Sequence, residues 1–307
     1  MNTQSNALPE PFESPAIAPA VRSATRPYYW SVRRELWEYR AVYIAPVIAA
    51  ALFLFGFLIN IMSLRRHISA SQLDPAQQHH LLFARYEISA ALIMGTAFIV
   101  GIFYTLDALY GERRDRSILF WKSLPVSDLT VVLSKVTVPA VLLPLLSFVI
   151  TIATQLIALM LSSVIFAGSG VDTAKLWTEA SFFHVSWIML YHIVTVHGLW
   201  YAPIYGWLLL VSAWAPRAPF LWAFLPPFVI CGVEKLAFNT THCLNLLESR
   251  LSGPSSKSVA AGGSHMDSLA ELIPQHFFSE PGLWIGLAIA AAFVFAAVRV
   301  RRYQGPI

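Results

Sequence analysis

The chain has 307 residues, of which 57% are hydrophobic and only 12% are charged, and its mean hydropathy is +0.60. This composition excludes an ordinary soluble domain and indicates an integral membrane protein. The formal net charge is only +4, and the basic residues flank apolar runs instead of forming one patch, so the sequence predicts no nucleic-acid partner.

The N-terminal segment, residues 1–27, is rich in Pro, Ala, Ser and Glu. It has no basic stretch followed by an apolar stretch, so we expect a disordered cytoplasmic tail and not a signal peptide. The transmembrane domain is expected to follow over residues 28–303.

Residues 28–40 have the pattern of an amphipathic helix that precedes the first apolar run. Apolar side chains recur at helical spacing, and two Trp residues flank them. We expect this helix to lie in the membrane interface with its aromatic residues toward the bilayer and its charges outward, where Arg34 and Glu38 can pair. The alternative is a simple basic flank of the first span. The residues assigned to the interfacial helix are Arg33, Arg34, Leu36, Trp37 and Glu38.

Six stretches are long and apolar enough to cross about 30 Å of hydrocarbon as helices. The third contains Pro139 and Pro144, which predicts a kink or a tilt. The fifth is short, and we expect Pro226 and Pro227 to break it. The six predicted spans are residues 42–64, 88–109, 129–166, 185–214, 219–233 and 283–298.

The distribution of basic residues predicts the orientation. If both termini are cytoplasmic, 14 of the 21 Lys and Arg residues lie on the cytoplasmic side, as the positive-inside rule requires. The loop between spans two and three is then cytoplasmic, and Cys231 and Cys243 lie toward the outer side. For these cysteines the sequence favours two free thiols, with an outer-face disulfide as the alternative.

The loop between spans two and three concentrates charge, with five charged residues in the seven from Tyr110 to Arg116. Only Gly111 could interrupt a helix there, so we expect span two to continue into the cytoplasm, where Asp107 could pair with Arg114. Pro125 should end that helix, and Ser127 or Asp128 should cap the next. Such an amphipathic hairpin suits the docking of a partner, whereas the alternative is an ordinary positive-inside loop.

This segment, ERRDRSILFWKSLPVSDLTVVLSK, resembles the inner loop of type-2 ABC transporter permeases. The family pattern has an acidic residue, a Gly/Ser/Thr-Leu/Ile step, a Leu/Thr-Pro-Val/Leu-Ser elbow and a Lys. Glu112, Ser117-Ile118, the elbow Leu124 to Ser127, and Lys135 match these features. Arg116-Ser117 departs from the Gly-Thr of many members. The resemblance also covers the pre-span helix, six spans and a long outer loop before span six.

The resemblance implies an all-α membrane protein of six transmembrane helices, with an interfacial helix before them and a cytoplasmic coupling helix between spans two and three. It implies the permease subunit of a bacterial inner-membrane ABC exporter for a hydrophobic or amphiphilic substrate, working as a homodimer with two copies of a separate ATPase. No Gly-x-x-x-x-Gly-Lys-Ser/Thr motif occurs, so ATP and Mg would bind that ATPase, and we predict no catalytic residue or cofactor in this chain. The ATPase-coupling residues would be Glu112, Arg113, Arg114, Asp115, Arg116, Ser117, Trp121, Lys122, Leu124 and Pro125.

Histidines in span four suggest an alternative function. His184, His192 and His197 could serve a membrane-anchored redox or haem- or metal-handling subunit, although His192 and His197 lie about 140° apart around one helix and cannot both reach one ion. We therefore predict no metal site, and treat His192 and His197 as candidate pathway residues. Glu234 and Lys235 are either an interfacial pair or a gate at the outer mouth.

Overall fold

A computed structural model describes residues 25–70, 75–167, 182–252 and 277–307. The described part of the chain is helical and contains no strand. Two segments have π-helical geometry and are called π1 (Val138–Leu142) and π2 (Ile193–Trp200). The α-helices are α1 (Thr25–Glu38), α2 (Ala41–Ala70), α3 (Pro75–Ala108), α4 (Tyr110–Arg114), α5 (Ile118–Ser123), α6 (Asp128–Thr137), α7 (Leu143–Phe166), α8 (Phe182–His192), α9 (Ala202–Trp214), α10 (Pro219–Phe238), α11 (His242–Ser252) and α12 (Pro281–Tyr303).

The predicted all-α membrane architecture is confirmed. Five helical stretches in the described residues are long and apolar enough to cross a membrane, and there are six if the bent pair π2–α9 counts as one span. The five are Ala41–Ser63, Ile88–Arg114, Asp128–Ile165, Pro219–Phe238 and Pro281–Tyr303.

The spans pack in two groups that share α3. One group contains α2, α3 and α7, and the other contains α3, α9 and α12. Two helices of the second group approach closely at Gly206, where an added Cβ would lie 3.2 Å from the carbonyl oxygen of Ala290. Small residues at this point allow two helices to approach closely in the membrane, where van der Waals packing drives association.

Proline residues disturb two spans. In the third span, π1 contains Pro139 and Pro144 follows it near the start of α7, so the predicted kink takes the form of a π-helical segment. The fourth span bends by 44° between π2 and α9. Pro203, near the N-terminus of α9, accounts for this bend because it lacks an amide donor, and the sequence analysis missed this signal.

Two expectations about helix continuity are wrong. Pro226 and Pro227 do not break span five, because α10 continues through both to Phe238. Span two extends to Arg114, with one non-helical residue at Leu109 between α3 and α4, but it does not continue to Leu124 because α5 begins as a separate helix at Ile118. The predicted elbow is confirmed, since Leu124 is extended and the Ser127 hydroxyl accepts a hydrogen bond from the Thr130 amide at 3.1 Å.

At the end of the bundle opposite α4 and α5, α11 folds back onto the spans. A disulfide joins Cys231 in α10 to Cys243 in α11, so the pairing that the sequence left open as the alternative is formed. The Glu234 carboxylate accepts hydrogen bonds from the amides of His242 and Cys243, both at 2.8 Å, and so caps the N-terminus of α11. Arg250 crosses the ring of Trp200 with its guanidinium 4.4 Å from the ring centroid.

Helix α1 begins at Thr25, slightly before the predicted start of the interfacial helix. Leu36 and Tyr39 pack against the main hydrophobic core, and Trp30 and Trp37 are exposed, which is compatible with the predicted contact of their rings with the bilayer. Arg34 was predicted to point outward and instead faces the protein interior. Residues 1–24 and most of the predicted long outer loop before span six lie outside the described residues.

Candidate functional site: a buried charge cluster beneath two short helices

The Ser212 hydroxyl ends α3. Its oxygen accepts hydrogen bonds from the backbone amides of Leu109 and Tyr110, both at 3.0 Å, and so removes them from the helical ladder. A side-chain acceptor on a distant helix leaves no local sequence pattern, which is why we predicted a continuous helix.

The second break lies between α4 and α5, at Arg116. This residue has φ of 58°, in the left-handed region that costs an L-residue about 1–2 kcal/mol and that glycine adopts freely. The turn at Arg116 redirects the chain so that α5 is a separate helix.

The central feature of this region is a cluster of buried ionised side chains, which we call the charge cluster. It contains three basic and three acidic residues from four helices, namely Arg34, Glu35, Glu112, Lys135, Asp128 and Arg301. The side chains of Glu35 and Lys135 are 1% exposed and that of Glu112 is 4% exposed. Burial of charge is costly unless each group is paired, and here the cluster balances in charge.

Glu112 in α4 is the hub of the charge cluster. Its carboxylate contacts Arg34 of α1 at 2.9 Å, Lys135 of α6 at 3.1 Å and Arg301 of α12 at 3.0 Å. One acidic side chain thus joins the short helix α4 to three other helices. Any displacement of α4 must either move those helices with it or break these contacts.

Glu35 is a second acidic centre. It accepts hydrogen bonds from Lys135 at 3.0 Å and from the Tyr104 hydroxyl at 2.9 Å, and it contacts Arg34 at 2.7 Å. These contacts hold α1 against α3 and α6. They also explain why Arg34 faces inward, because its guanidinium bridges the two buried carboxylates of Glu35 and Glu112.

Burial and neighbouring charges raise the pKa values of three side chains at the edge of the cluster, namely Arg34, Glu38 and Tyr39. Burial acts to lower the pKa of the Arg34 guanidinium, but the carboxylates of Glu35 and Glu112 outweigh this effect and raise it. Burial raises the pKa of Glu38 despite its ion pair with Arg34 at 3.4 Å. Burial raises the pKa of the Tyr39 phenol, and so does the carboxylate of Asp107, which accepts a hydrogen bond from the Tyr39 hydroxyl at 3.0 Å.

Arg113 is also buried, and it stabilises the end of another helix. Its guanidinium donates to the carbonyl oxygens of Ala213 at 2.7 Å and Ala215 at 3.1 Å, at the C-terminus of α9. A cation at this position satisfies free carbonyl groups and opposes the helix dipole. Glu112 and Arg113 are therefore interior residues of this chain and not surface groups.

The remaining predicted coupling residues lie at the surface. Arg114 pairs with Asp107 at 3.7 Å, as predicted, and with Asp115 at 2.9 Å, a hydrogen bond that lowers the pKa of the Asp115 carboxyl. Lys122 donates to the carbonyl oxygen of Gln304 at 2.9 Å, just after α12. Trp121 lies on Arg34, whose guanidinium carbon is 3.7 Å from the centroid of the indole ring.

Helix α5 presents an apolar face outward. Ile118 is buried against the protein, whereas Leu119 is 58% exposed and Phe120 is 60% exposed. An adjacent pair of large apolar side chains on a short helix, flanked by charged residues, is typical of an interaction site.

Sequence reasoning named four of the six members of the charge cluster, but for separate roles: Arg34 in the interfacial helix, Glu112 and Lys135 in the loop pattern, and Asp128 as a possible cap. Glu35 and Arg301 were not selected, and neither was Tyr104, which donates to Glu35. A signal was present in Glu35 and Lys135, because charged residues next to or inside apolar helices are costly and require partners. Their pairing across 100 residues is set only by the packing of α1 against α6.

The span-four histidines do not form a metal site with neighbouring residues. Among the side chains that the structure describes, which do not include that of His184, no group of three His, Cys, Asp or Glu residues is arranged to hold a metal ion. His197 lies in π2 and packs edge-on against the ring of Tyr201 at 5.2 Å. Glu234 is engaged by α11 and by the Thr240 hydroxyl, not by Lys235.

Comparison of the chain with models of known protein families found no match, and comparisons with characterised proteins and with solved structures found none either.

Proposed function

We propose that the chain is the transmembrane permease subunit of an ATP-driven ABC exporter, and that α4 and α5 form its coupling element. The observation that carries this proposal is Glu112. It ties α4 to α1, α6 and α12 through three buried ion pairs, each about 3 Å long. A partner that pushes on α5 would therefore move several spans as one body, which is how a nucleotide-driven motor does work on a membrane domain.

Two surface features of α5 support a docking role. Leu119 and Phe120 offer an apolar contact that a groove on the ATPase would bury, and the charges of Arg114, Asp115 and Lys122 surround it. An apolar centre with a charged rim gives both binding energy and a defined orientation. In this proposal the exposed pair binds the ATPase, and the buried cluster beneath it transmits the movement.

The disulfide supports the orientation that this function requires. Disulfides persist in oxidising compartments and are rare in the cytosol, so the bridge between Cys231 and Cys243 favours the outer side for that end of the bundle. Helices α4 and α5 are at the opposite end and would then face the cytoplasm. The basic residues around them point to the same orientation.

In the proposed cycle, ATP draws two ATPase subunits together beneath a permease dimer. Each ATPase carries α5 with it, and the charge cluster passes the displacement to the spans, so that a pathway for a hydrophobic or amphiphilic molecule opens to the outer side. Nucleotide must bind the two states with different affinity for work to be done.

Copurification tests this proposal. The tagged chain, isolated from its own host in mild detergent, is expected to carry an ATPase subunit whose turnover is inhibited by vanadate. Replacing Leu119 by Asp should abolish the copurified activity, because a charge would be buried in the docking contact. Leu246→Asp is the matched control, since Leu246 is an equally exposed leucine on a short helix, α11, at the other end of the bundle.

Two results would contradict the proposal: a chain that carries no nucleotide hydrolase in its native membrane, or equal loss of activity in Leu119→Asp and Leu246→Asp. The alternative, a redox or haem-handling subunit, predicts a coloured protein whose absorbance disappears in His197→Ala.

A further inference from the structure

A cavity lies inside the bundle where the two π-helical segments face each other. The cavity between side chains of α3, α7, π2 and α9 has a volume of about 10 Å³, enough for one water-sized group, and it is partly open to the surroundings. π1 borders this region, and an added Cβ on Gly198 of π2 would lie 3.4 Å from the carbonyl oxygen of Ala140 in π1. The lining residues that matter most are Phe98, Ser147, His197 and Tyr205.

The cavity contains a polar group that lacks a partner. Tyr205 is 2% exposed, and its hydroxyl makes no hydrogen bond with any residue that the structure describes, but the hydroxyl oxygen is not among the fully buried atoms left without a partner. The oxygen is accessible through the open side of the cavity, where the hydroxyl or carbonyl of a ligand can supply the missing hydrogen bond.

The two π-helical segments are an independent sign of function. Single turns of π-helix are rare, because their hydrogen bonding is less favourable than that of an α-helix, and they occur often at functional sites. Here one such segment carries His197 into the lining and the other lies opposite it. Pro139 and Pro144 account for π1, but π2 contains no proline, and π2 is the segment that carries His197 into the lining.

The lining defines the chemistry of a ligand. Tyr205 can donate a hydrogen bond, His197 can donate or accept one, and Ser147 can only accept, because its own proton is donated to the carbonyl oxygen of Leu143 at 2.8 Å. The other lining side chains are apolar, and none is Asp, Glu, Lys or Arg. Hydrogen bonds without a fixed counter-ion favour an uncharged polar group attached to an apolar body.

We propose that this cavity binds the uncharged polar group of an amphiphilic molecule, such as a hydroxyl or carbonyl, through Tyr205 and His197, while the apolar remainder extends through its open side. Identifying that molecule as a transported substrate rests on the proposed function, whereas the binding itself does not. The cavity lies within one copy of the chain, between spans two, three and four.

The binding is tested directly by fluorine NMR of the full chain in detergent. The probe is 6-fluorohexan-1-ol, and 1-fluorohexane serves as the isostere that lacks the hydroxyl. We expect a saturable bound signal for the alcohol and only unsaturable partition into the micelle for the alkane. The alcohol should bind about two- to tenfold more weakly in Tyr205→Phe and in His197→Phe, which is the effect of losing one neutral hydrogen bond.

Tyr201→Phe is the matched control. Tyr201 is adjacent to the cavity, but its hydroxyl donates outward to the carbonyl oxygen of Leu251 at 2.9 Å, so its loss should leave the affinity for the alcohol unchanged. Binding of the alcohol and the alkane with equal affinity would overturn the proposal, as would unchanged affinity in both Tyr205→Phe and His197→Phe. Because no ATPase is needed, saturable binding without a copurifying ATPase would refute the transport function and leave this site standing.

Discussion

Neutralising Glu112 should destabilise the protein more than any comparable change at its surface. Glu112→Gln preserves the shape of the side chain but leaves three cations with two carboxylates in the charge cluster. Removing one partner of a buried ion pair typically costs about 3–5 kcal/mol, because the remaining charge is buried without compensation. Lys135→Met should be similarly costly, since Lys135 contacts both Glu35 and Glu112.

The costs of these two substitutions, in free energy of unfolding, should not be additive. Glu112→Gln combined with Lys135→Met removes one charge of each sign, so the cluster is balanced again. The cost of the double variant should fall below the sum of the two single costs by at least about 1 kcal/mol, as expected for groups in direct contact. The free energy of unfolding is measured by titration from dodecylmaltoside into sodium dodecyl sulfate, followed by circular dichroism.

Glu38→Gln is the control for Glu112→Gln. Glu38 makes an ion pair with the same Arg34, but its side chain is 50% exposed. Such a pair contributes at most about 1 kcal/mol. If Glu38→Gln and Glu112→Gln cost the same, or if the Glu112 and Lys135 effects add fully, then the buried cluster is not the coupled unit inferred here.

Three further predictions concern the backbone, the pH response and the disulfide. Arg116→Gly should raise the free energy of unfolding by up to about 1 kcal/mol, because glycine relieves the positive φ, whereas Arg116→Ala should give no gain. The pKa of the Tyr39 phenol is raised in the folded state, so its contribution to stability is complete below the unfolded pKa of about 10 and declines as the pH rises above that value. The difference in stability between the wild type and Tyr39→Phe, measured in melting experiments, should therefore narrow from pH 8 to pH 11. A difference that stays constant over this range would refute the prediction. Mass spectrometry of protein from unreduced membranes should find the Cys231 and Cys243 peptides linked, and Cys243→Ser should lower stability by about 3 kcal/mol.

The sequence was sufficient for features that depend on local pattern. Apolar run length predicted the spans, and Pro125 with Ser127 predicted the elbow and the cap of α6, because each is a property of a few neighbouring residues. The break after α3 could not be predicted, because it depends on a hydroxyl from Ser212 in α9. The charge cluster could not be predicted as a unit, because its six members are brought together only by the packing of α1, α4, α6 and α12.

Proline positions alone did not predict where the spans are interrupted. Pro226 and Pro227 suggested a broken helix, but α10 passes through them. Pro203 was overlooked, although the fourth span bends by 44° next to it. Tertiary packing decides which of these residues interrupts a span, because neighbouring groups in a bundle can compensate for the lost hydrogen bond.

The most direct test of the coupling role is photocrosslinking from α5 in native membranes. A photoreactive benzoylphenylalanine placed at Phe120, which is 60% exposed, should crosslink to a subunit that contains a Walker nucleotide-binding motif, and the yield should change when ATP is added. The same group at Leu246 in α11 should give no such product. Absence of the ATPase crosslink from position 120, with lipid or the detergent as the only adduct, would contradict the account.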